Sequence, residues 1–501
     1  MVPFSLSSSA VICSPKFPLS FPSPNESENP NSVVKQPAEQ QQLVEENEEV
    51  YEFERLFSNL NQATLNREPG KSYIQERSIF FLHGVRKGSL SSAISLVAGT
   101  TVGAGILAIP AVTQEAGFLA SAVTCIFCWI FMVVTGLLMA EVNVKTMCEL
   151  GSGGVSLVSM AMRTLGGAGV QVACWSYIFI HYALLVAYVA RSSDILTNFS
   201  GLPMYYFFSI VSRECVDGQH YDCRWETATL FSLLLGGLCY SGSQRIIGAV
   251  NGSLVFGIIA SFTALVVVAS GDLHWDALLK ANFEAAPRSI PIIALSFVYQ
   301  NVVPILCTNL EGNLSEVRTA IVIGTAIPLA LFLVWNAVIL GTITDMGSGT
   351  IIDPLQLLRT TNTVVGPIVD VFSLLAIATS YIGFVLGLSD FLADLLKLPS
   401  GQNRPLPYLL TLFPPLVLSL LDPEIFFKAL DFAGTYGVLV LFGVLPAAMS
   451  WKDRYSKPSK SPNIPPLVPG GRITLSLAIG GAGQLEPTNR TGIMLKQPRN
   501  E

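Results

Sequence analysis

Charge is the scarcest thing in this sequence. Lys and Arg number 29 and Asp and Glu 35 among 501 residues, 13% together, where an ordinary soluble protein carries roughly 25%. A soluble chain of this length would form about three domains, and so few charges cannot coat them. With 51% hydrophobic residues and a mean hydropathy of +0.53, the apolar side chains must face something other than water, and the partner they imply is a lipid bilayer. A basic block is missing too, and the formal net charge is −6, which excludes nucleic acid as a partner. His83, His181, His220 and His274 are the only four histidines, and no HExxH, GxSxG or phosphate-binding glycine loop accompanies them. No enzymatic centre, cofactor or metal is therefore expected. Nine cysteines are too sparse for a disulfide scaffold. Cys125 and Cys128 form a C-x-x-C inside an apolar run without a second ligand pair, which does not make a metal site.

Acids are absent from the first 24 residues, which hold seven serines (Ser5, Ser7, Ser8, Ser9, Ser14, Ser20 and Ser23) and one lysine. Residues 1–35 read as an organelle transit peptide. The lack of arginine and the prolines favour a chloroplast address over a mitochondrial one, and a plain disordered tail is the competing reading. The only apolar run there, Ala10–Cys13, is too short for a secretory signal. Residues 36–88 are rich in Gln, Asn and Glu and read as a solvated linker.

From Leu90 onward apolar segments recur, and about 20 apolar residues cross a bilayer as a helix. Ten spans are expected, near residues 90–114, 118–144, 167–190, 227–243, 246–270, 289–311, 319–343, 366–393, 405–421 and 432–451. Strand alternation is absent, which leaves helices over barrels. Arg86, Lys87, Lys145, Arg163, Arg318 and Arg454 fall in loops on the side of the amino terminus, which is therefore expected to be the cis, cytoplasm-like side. Spans 1–5 occupy 89–270, a trans loop 271–288, spans 6–10 occupy 289–455, and 456–501 form a tail. Within the tail, Ile473–Gly483 is too short for an eleventh crossing. On the trans side, Cys215 and Cys223 offer a disulfide if that compartment is oxidising, and Asn198-Phe-Ser200 is a glycosylation sequon, usable only on the secretory route.

Two spans carry residues that a continuous helix does not want. The first holds Gly99, Gly103, Gly105 and Pro110, and with glycine costing about 1 kcal/mol and proline about 3 in a helix interior, it is expected to unwind near Val102–Gly105. Close packing by small residues competes with that reading for the glycines alone. The sixth places Gln300 and Asn301 mid-membrane, followed by Pro304. Two broken helices, each opening a set of five spans, are the trace of an inverted-repeat transporter whose site lies at the bilayer midplane. Freed amides at Gly103, Ala104 or Gly105 would donate to a carboxylate, and freed carbonyls around Phe297–Asn301 would accept from an ammonium. Those are the two ends of an amino acid.

The run Gly99-Thr-Thr-Val-Gly-Ala-Gly-Ile-Leu-Ala-Ile-Pro110, followed by Glu115-Ala-Gly-Phe118, resembles the first-span motif of the tryptophan/tyrosine permease family, the hydroxy and aromatic amino acid permeases, and Ser296-Phe-Val-Tyr-Gln-Asn-Val-Val-Pro304 resembles its sixth-span motif. The resemblance covers about residues 88–455. It implies membership of the amino acid/polyamine/organocation superfamily and an all-α polytopic membrane protein. The fold implied is the leucine-transporter-like five-plus-five inverted repeat, with about ten transmembrane helices and discontinuous first and sixth helices. The serine-rich extension is similar to the plant, plastid-targeted branch, which implies the chloroplast inner envelope; the plasma membrane or another endomembrane is the alternative. The function implied is ion-coupled symport of aromatic amino acids. The substrate site would be lined by Val102, Gly103, Ala104, Gly105, Ile106, Phe297, Tyr299, Gln300 and Asn301, with Tyr177 or Tyr182 reaching the substrate carboxylate from the third span.

Titratable residues within spans default to functional hypotheses. His181 falls mid-span and shares a helix face with Tyr177, as a proton-relay candidate or as a neutral ring bonded within the protein. Glu141 closes the second span, where an interfacial role competes, and Glu311 and Asp390 lie near the cis surface. In related sodium-coupled carriers, hydroxyls of the eighth span ligate an ion, and Thr379-Ser380 occupies that place; such pairs also bond their own backbone. The resemblance thus implies a co-transported proton and leaves sodium open. A non-transporting sensor of the same fold and a carrier of serine or threonine are the other readings, and the oligomeric state stays open.

Overall fold

A computed structural model describes residues 90–150, 155–200, 220–269, 271, 274–342, 365–396, 405–421, 425–455 and 465–484. The expected leader, the linker and Cys215 lie outside these. Among the described residues every regular element is helical, as hydrocarbon demands of a chain that must satisfy its own backbone groups. The helices are α1 (Leu90–Thr101), α2 (Gly105–Thr113), α3 (Gly117–Leu150), α4 (Leu157–Leu165), α5 (Gly167–Ser200), α6 (His220–Ser241), α7 (Gln244–Ala269), α8 (Trp275–Leu278), α9 (Ile290–Ser296), α10 (Val303–Asn309), α11 (Leu314–Thr342), α12 (Val365–Leu395), α13 (Pro405–Leu421), α14 (Ile425–Phe432), α15 (Leu445–Tyr455) and α16 (Gly471–Gln484). Tight three-residue-per-turn helix covers Ala286–Ser289 and Gln300–Val302, and a wide π-helix covers Ala433–Val444 between α14 and α15.

Helix occupies each of the ten expected segments. Among the described residues, seven units are long and apolar enough to cross a bilayer: α3, α5, α7, the stretch Ala286–Asn309, α11, α12 and the stretch Ile425–Tyr455. The pair α1 and α2, bent by 55°, makes an eighth. The remaining two are α13, with 17 residues, and α6, which opens on the polar run His220–Glu226. The chain is a polytopic membrane protein. In the tail, α16 has 14 residues, about 21 Å at 1.5 Å per residue, against about 30 Å of hydrocarbon. It lies against the π-helical stretch and α15, burying Leu475 and Ala478.

The core forms where α5 meets α6, α12, α14 and the π-helix, and where α11 meets α1 and α3. Small residues let these helices approach, as membrane packing favours: a methyl on Gly324 of α11 would lie 2.7 Å from Val97 Cβ of α1. At one end of the bundle, the segment between α7 and α9 folds over the turn after α2. Asn282 N donates to Ala116 O at 2.7 Å, and Arg288 pairs with Glu115 at 3.0 Å. Gly117 turns there with φ 74° against the Lys280 carbonyl, which explains the glycine of the Glu115–Phe118 motif.

The opposite end holds a clamp. Glu141, Lys145 and Glu149 share one face of α3. Glu141 is 1% exposed and takes two bonds from Arg454 of α15, Nε to Oε1 at 2.9 Å and Nη2 to Oε2 at 2.6 Å. Leu467 N adds a third at 3.1 Å, which brings in the tail. Lys145 reaches Asp453 at 2.9 Å, and Arg163 of α4 joins Asp453 at 2.7 Å to Glu149 at 2.9 Å. Glu141 thus works in holding α3, α4, α15 and the tail together, and the helix break lies elsewhere.

Candidate functional site

The first span stops being helical where its sequence turns to glycine. Thr100 and Thr101 turn their hydroxyls back onto the Leu96 and Val97 carbonyls at 2.8–3.0 Å, and Val102 N makes the last bond of α1, to Ala98 O at 3.1 Å. Val102, Gly103 and Ala104 then carry the 55° bend. The freed amide of Ala104 donates to Ser380 Oγ of α12 at 3.1 Å. The Tyr188 hydroxyl of α5 lies close to the same Ser380.

The sixth span breaks for a different reason. Proline has no N–H to give and fits the first turn of a helix. Pro304 therefore starts α10 at its second position, and α9 must end before it, at Ser296. Between them, Phe297 N and Val298 N bond three residues back at 3.1 and 3.2 Å. Gln300 closes the gap: its Oε1 accepts from Tyr299 N at 3.1 Å, and its Nε2 donates to Met132 O and Thr135 Oγ1 of α3, both at 3.4 Å. The Tyr299 hydroxyl donates to Met132 O at 3.0 Å and lies over Gly136, where any side chain would collide with it.

The two breaks touch. A methyl on Gly105 would lie 2.7 Å from Ser296 Oγ and 3.0 Å from Ser296 Cα, and one on Gly103 would lie 2.9 Å from Ser380 Oγ. Spans 1, 6 and 8 therefore meet at one junction, with Tyr188 of span 3 above Ser380. Phe297 is buried there against Phe332 of α11, ring centroids 5.0 Å apart. Gly99, Thr100 and Asn301 are exposed at this level, and α1 packs beside the Gln300–Val302 turn, so small and polar groups face outward at the junction.

Of the residues expected from sequence, the structure gathers Val102, Gly103, Ala104, Gly105, Ile106, Phe297 and Ser380 around the junction, with the neighbouring Thr379 buried. Tyr299 and Gln300 turn away onto α3 and brace the break from behind. Tyr182 donates to Leu410 O of α13 at 2.8 Å, also away from the junction. Tyr177 and His181 pack on α12 further along, beside Phe391 and Phe384. The third-span phenol at the junction is Tyr188, which the sequence reading missed as a site residue; its two-turn spacing from His181 was the available signal. Glu311 is exposed in a left-handed turn, φ 51°, and Asp390 is exposed on α12. Among the described residues no three His, Cys, Asp or Glu side chains group as metal ligands; Cys125 and Cys128 are buried free thiols.

Ser380→Ala removes the partner of the freed Ala104 amide. A polar group left unpaired costs about 1–3 kcal/mol. Thermal unfolding in detergent is expected to show that loss as a lowered Tm.

Comparison with known proteins bears on what such a junction serves. The model of the tryptophan/tyrosine permease family matches residues 86–484. The chain is 30% identical over 400 residues to the tyrosine-specific transport system 2 of Haemophilus influenzae, covering 77% of this chain and 92% of that protein. It is 28% identical over 397 residues to the tyrosine-specific transport system 1 of that organism, covering 77% and 92%. To the tryptophan-specific transport protein of the same organism it is 25% identical over 390 residues, covering 74% and 90%.

Proposed function

The chain belongs to the tryptophan/tyrosine permease family, and from that premise we propose that it is a secondary active transporter of tryptophan or tyrosine, working by alternating access about the two helix breaks. It moves a solute rather than transforming one, so it is not an enzyme. The observation that carries the reading is the contact of Gly105 with Ser296, which brings the unwound backbones of spans 1 and 6 together where amides and carbonyls are free of helix bonding. Two groups of five helices, each opening with a broken one, support a five-plus-five inverted repeat. Val102–Ile106 receive the carboxylate, the carbonyls around Phe297 the ammonium, and Phe297 and Phe332 offer an aromatic wall. We take the coupled ion to be a proton, as the family resemblance implies; the Ser380 oxygen accepts from the Ala104 amide and keeps a second lone pair, so sodium is the alternative that the uptake test separates. The serine-rich, acid-poor first 24 residues support placement in the chloroplast inner envelope, and residues 1–88 fused to a fluorescent protein are expected to label plastids.

The test is uptake by the purified chain in liposomes. Labelled tryptophan or tyrosine is expected to accumulate above equilibrium under an imposed pH gradient, with serine and threonine as weak competitors. Binding without uptake would mark a sensor, and accumulation of serine or threonine in their place would overturn the aromatic assignment.

A further inference from the structure

His181 sits within the bundle, 9% exposed, and the hydrogen bond that orients it does not tie two helices together. Its Nδ1 lies 2.8 Å from the carbonyl oxygen of Tyr177, one turn back on α5. A carbonyl only accepts, so Nδ1 carries the hydrogen, and a neutral imidazole then presents a lone pair at Nε2. That atom faces Gly387, one of the three glycines of α12. A methyl on Gly387 would lie 3.5 Å from His181 Nε2 and 3.4 Å from the Tyr177 hydroxyl oxygen. Two polar atoms from α5 thus converge on a gap, while the surrounding wall is aromatic: Tyr177 at 3.9 Å and Phe384 at 4.9 Å from the His181 ring, and Phe391 at 4.7 Å from Tyr177.

The gap has two ends. Towards one lies Asp390, exposed and one turn along α12 from Gly387. Towards the other, Phe384 packs edge-on against Tyr188 at 5.8 Å, whose phenol lies close to Ser380, the partner of the Ala104 amide. The titratable groups around the ring come from few elements. They are Tyr177 and Tyr188 on α5, Asp390 on α12, and Tyr408 on α13, which bonds the Cys239 carbonyl of α6. Arg163 of α4 is tied to Glu149 and Asp453. On α14, Phe426 lies under Arg191, ten residues or about 15 Å along α5 from His181, and Lys428 and Asp431 follow on that helix. The π-helix meets α5 at Ile180 through Gly437, and its Tyr436 is stacked on Phe432.

We propose that His181 Nε2 is the proton-binding station of this carrier, and that Gly387 keeps open the gap through which the proton leaves past Tyr177 towards Asp390. The proposal rests on the transport reading above and names the residue that couples it. In the loading step the Nε2 lone pair takes a proton from a hydronium ion, which is left as water, giving an imidazolium whose Nδ1–H stays on the Tyr177 carbonyl. In the release step that proton returns to water on the Asp390 side and the neutral ring is restored. Imidazole suits the task because its proton exchange in water lies nearest neutrality.

The experiment uses the full chain in liposomes and reads two activities: accumulation of labelled tyrosine driven by a pH gradient, and counterflow exchange with no gradient. His181→Gln keeps a polar side chain but no titratable ring. Gly387→Ala puts a methyl into the gap at ordinary contact distance, so the fold has nothing to accommodate. Both are expected to exchange tyrosine within about twofold of the wild type and to lose accumulation at least about tenfold. Wild-type accumulation is expected to follow pH and ignore sodium. If both variants accumulate like the wild type, or if sodium alone drives the wild type, the proposal is wrong. If exchange falls together with accumulation in both variants, the two residues are structural and the proposal is also wrong. Absence of all uptake by the wild type would instead refute the transport reading beneath it. Should His181→Gln not fold, Gly387→Ala decides alone.

Discussion

Gly105→Ala is expected to reduce aromatic amino acid uptake about ten- to a hundredfold, measured as initial rates in liposomes at equal reconstituted protein. The added methyl would meet the Ser296 hydroxyl at 2.7 Å and, more seriously, the Ser296 Cα at 3.0 Å. A hydroxyl can rotate away, but a backbone atom moves only if span 6 moves. The unwound segments would separate by several tenths of an ångström, and a displacement approaching 1 Å at a positioned group is worth about 10²-fold. Gly99→Ala is the matched control within the same motif. It meets nothing within 4 Å, lies in the last turns of α1, and is expected to keep transport within about twofold while gaining up to about 1 kcal/mol in helix propensity. A motif read as a string of equivalent glycines predicts similar losses at both positions; the packing predicts opposite ones.

Arg454→Ala is expected to cost about 3–5 kcal/mol of stability, because removing one partner leaves a buried charge uncompensated. Glu141 would keep only the Leu467 amide at 3.1 Å and Lys145 at 3.9 Å. Thermal unfolding in detergent should show a large drop in Tm. Combining it with Glu141→Gln should restore part of the loss, since the charge needing compensation is gone. A Tm unchanged by Arg454→Ala would show that water reaches the clamp and solvates the carboxylate.

The breaks were legible in the sequence because their causes are local. Glycines at 99, 103 and 105 weaken one helix, and Pro304 forces the other to restart. The ten helical segments were legible for the same reason, since an apolar run of sufficient length needs no partner to declare itself. What stayed hidden was orientation. After Ser296 the chain winds in three-residue turns, which resets the helical phase, so a residue count could not show that Tyr299 and Gln300 face α3. The choice between Tyr177 and Tyr182 was equally closed, because a helix apolar on every side carries no stripe to mark its inner face. Partners far along the chain were out of reach altogether: Ala104 meets Ser380 across 276 residues and Glu141 meets Arg454 across 313. The π-helix at Ala433–Val444 was indistinguishable from ordinary helix, since its cause is packing: Gly434 sits on the Pro291 carbonyl and Gly437 on Ile180.

The seat of Tyr299 on Gly136 also limits how this protein can change through descent. A side chain gained at 136 displaces the phenol, and a phenol lost at 299 leaves a void beside Met132. Neither step is neutral alone, so the two positions can drift only as a pair, and a lineage that crosses between pairings must pass through a weakened ancestor.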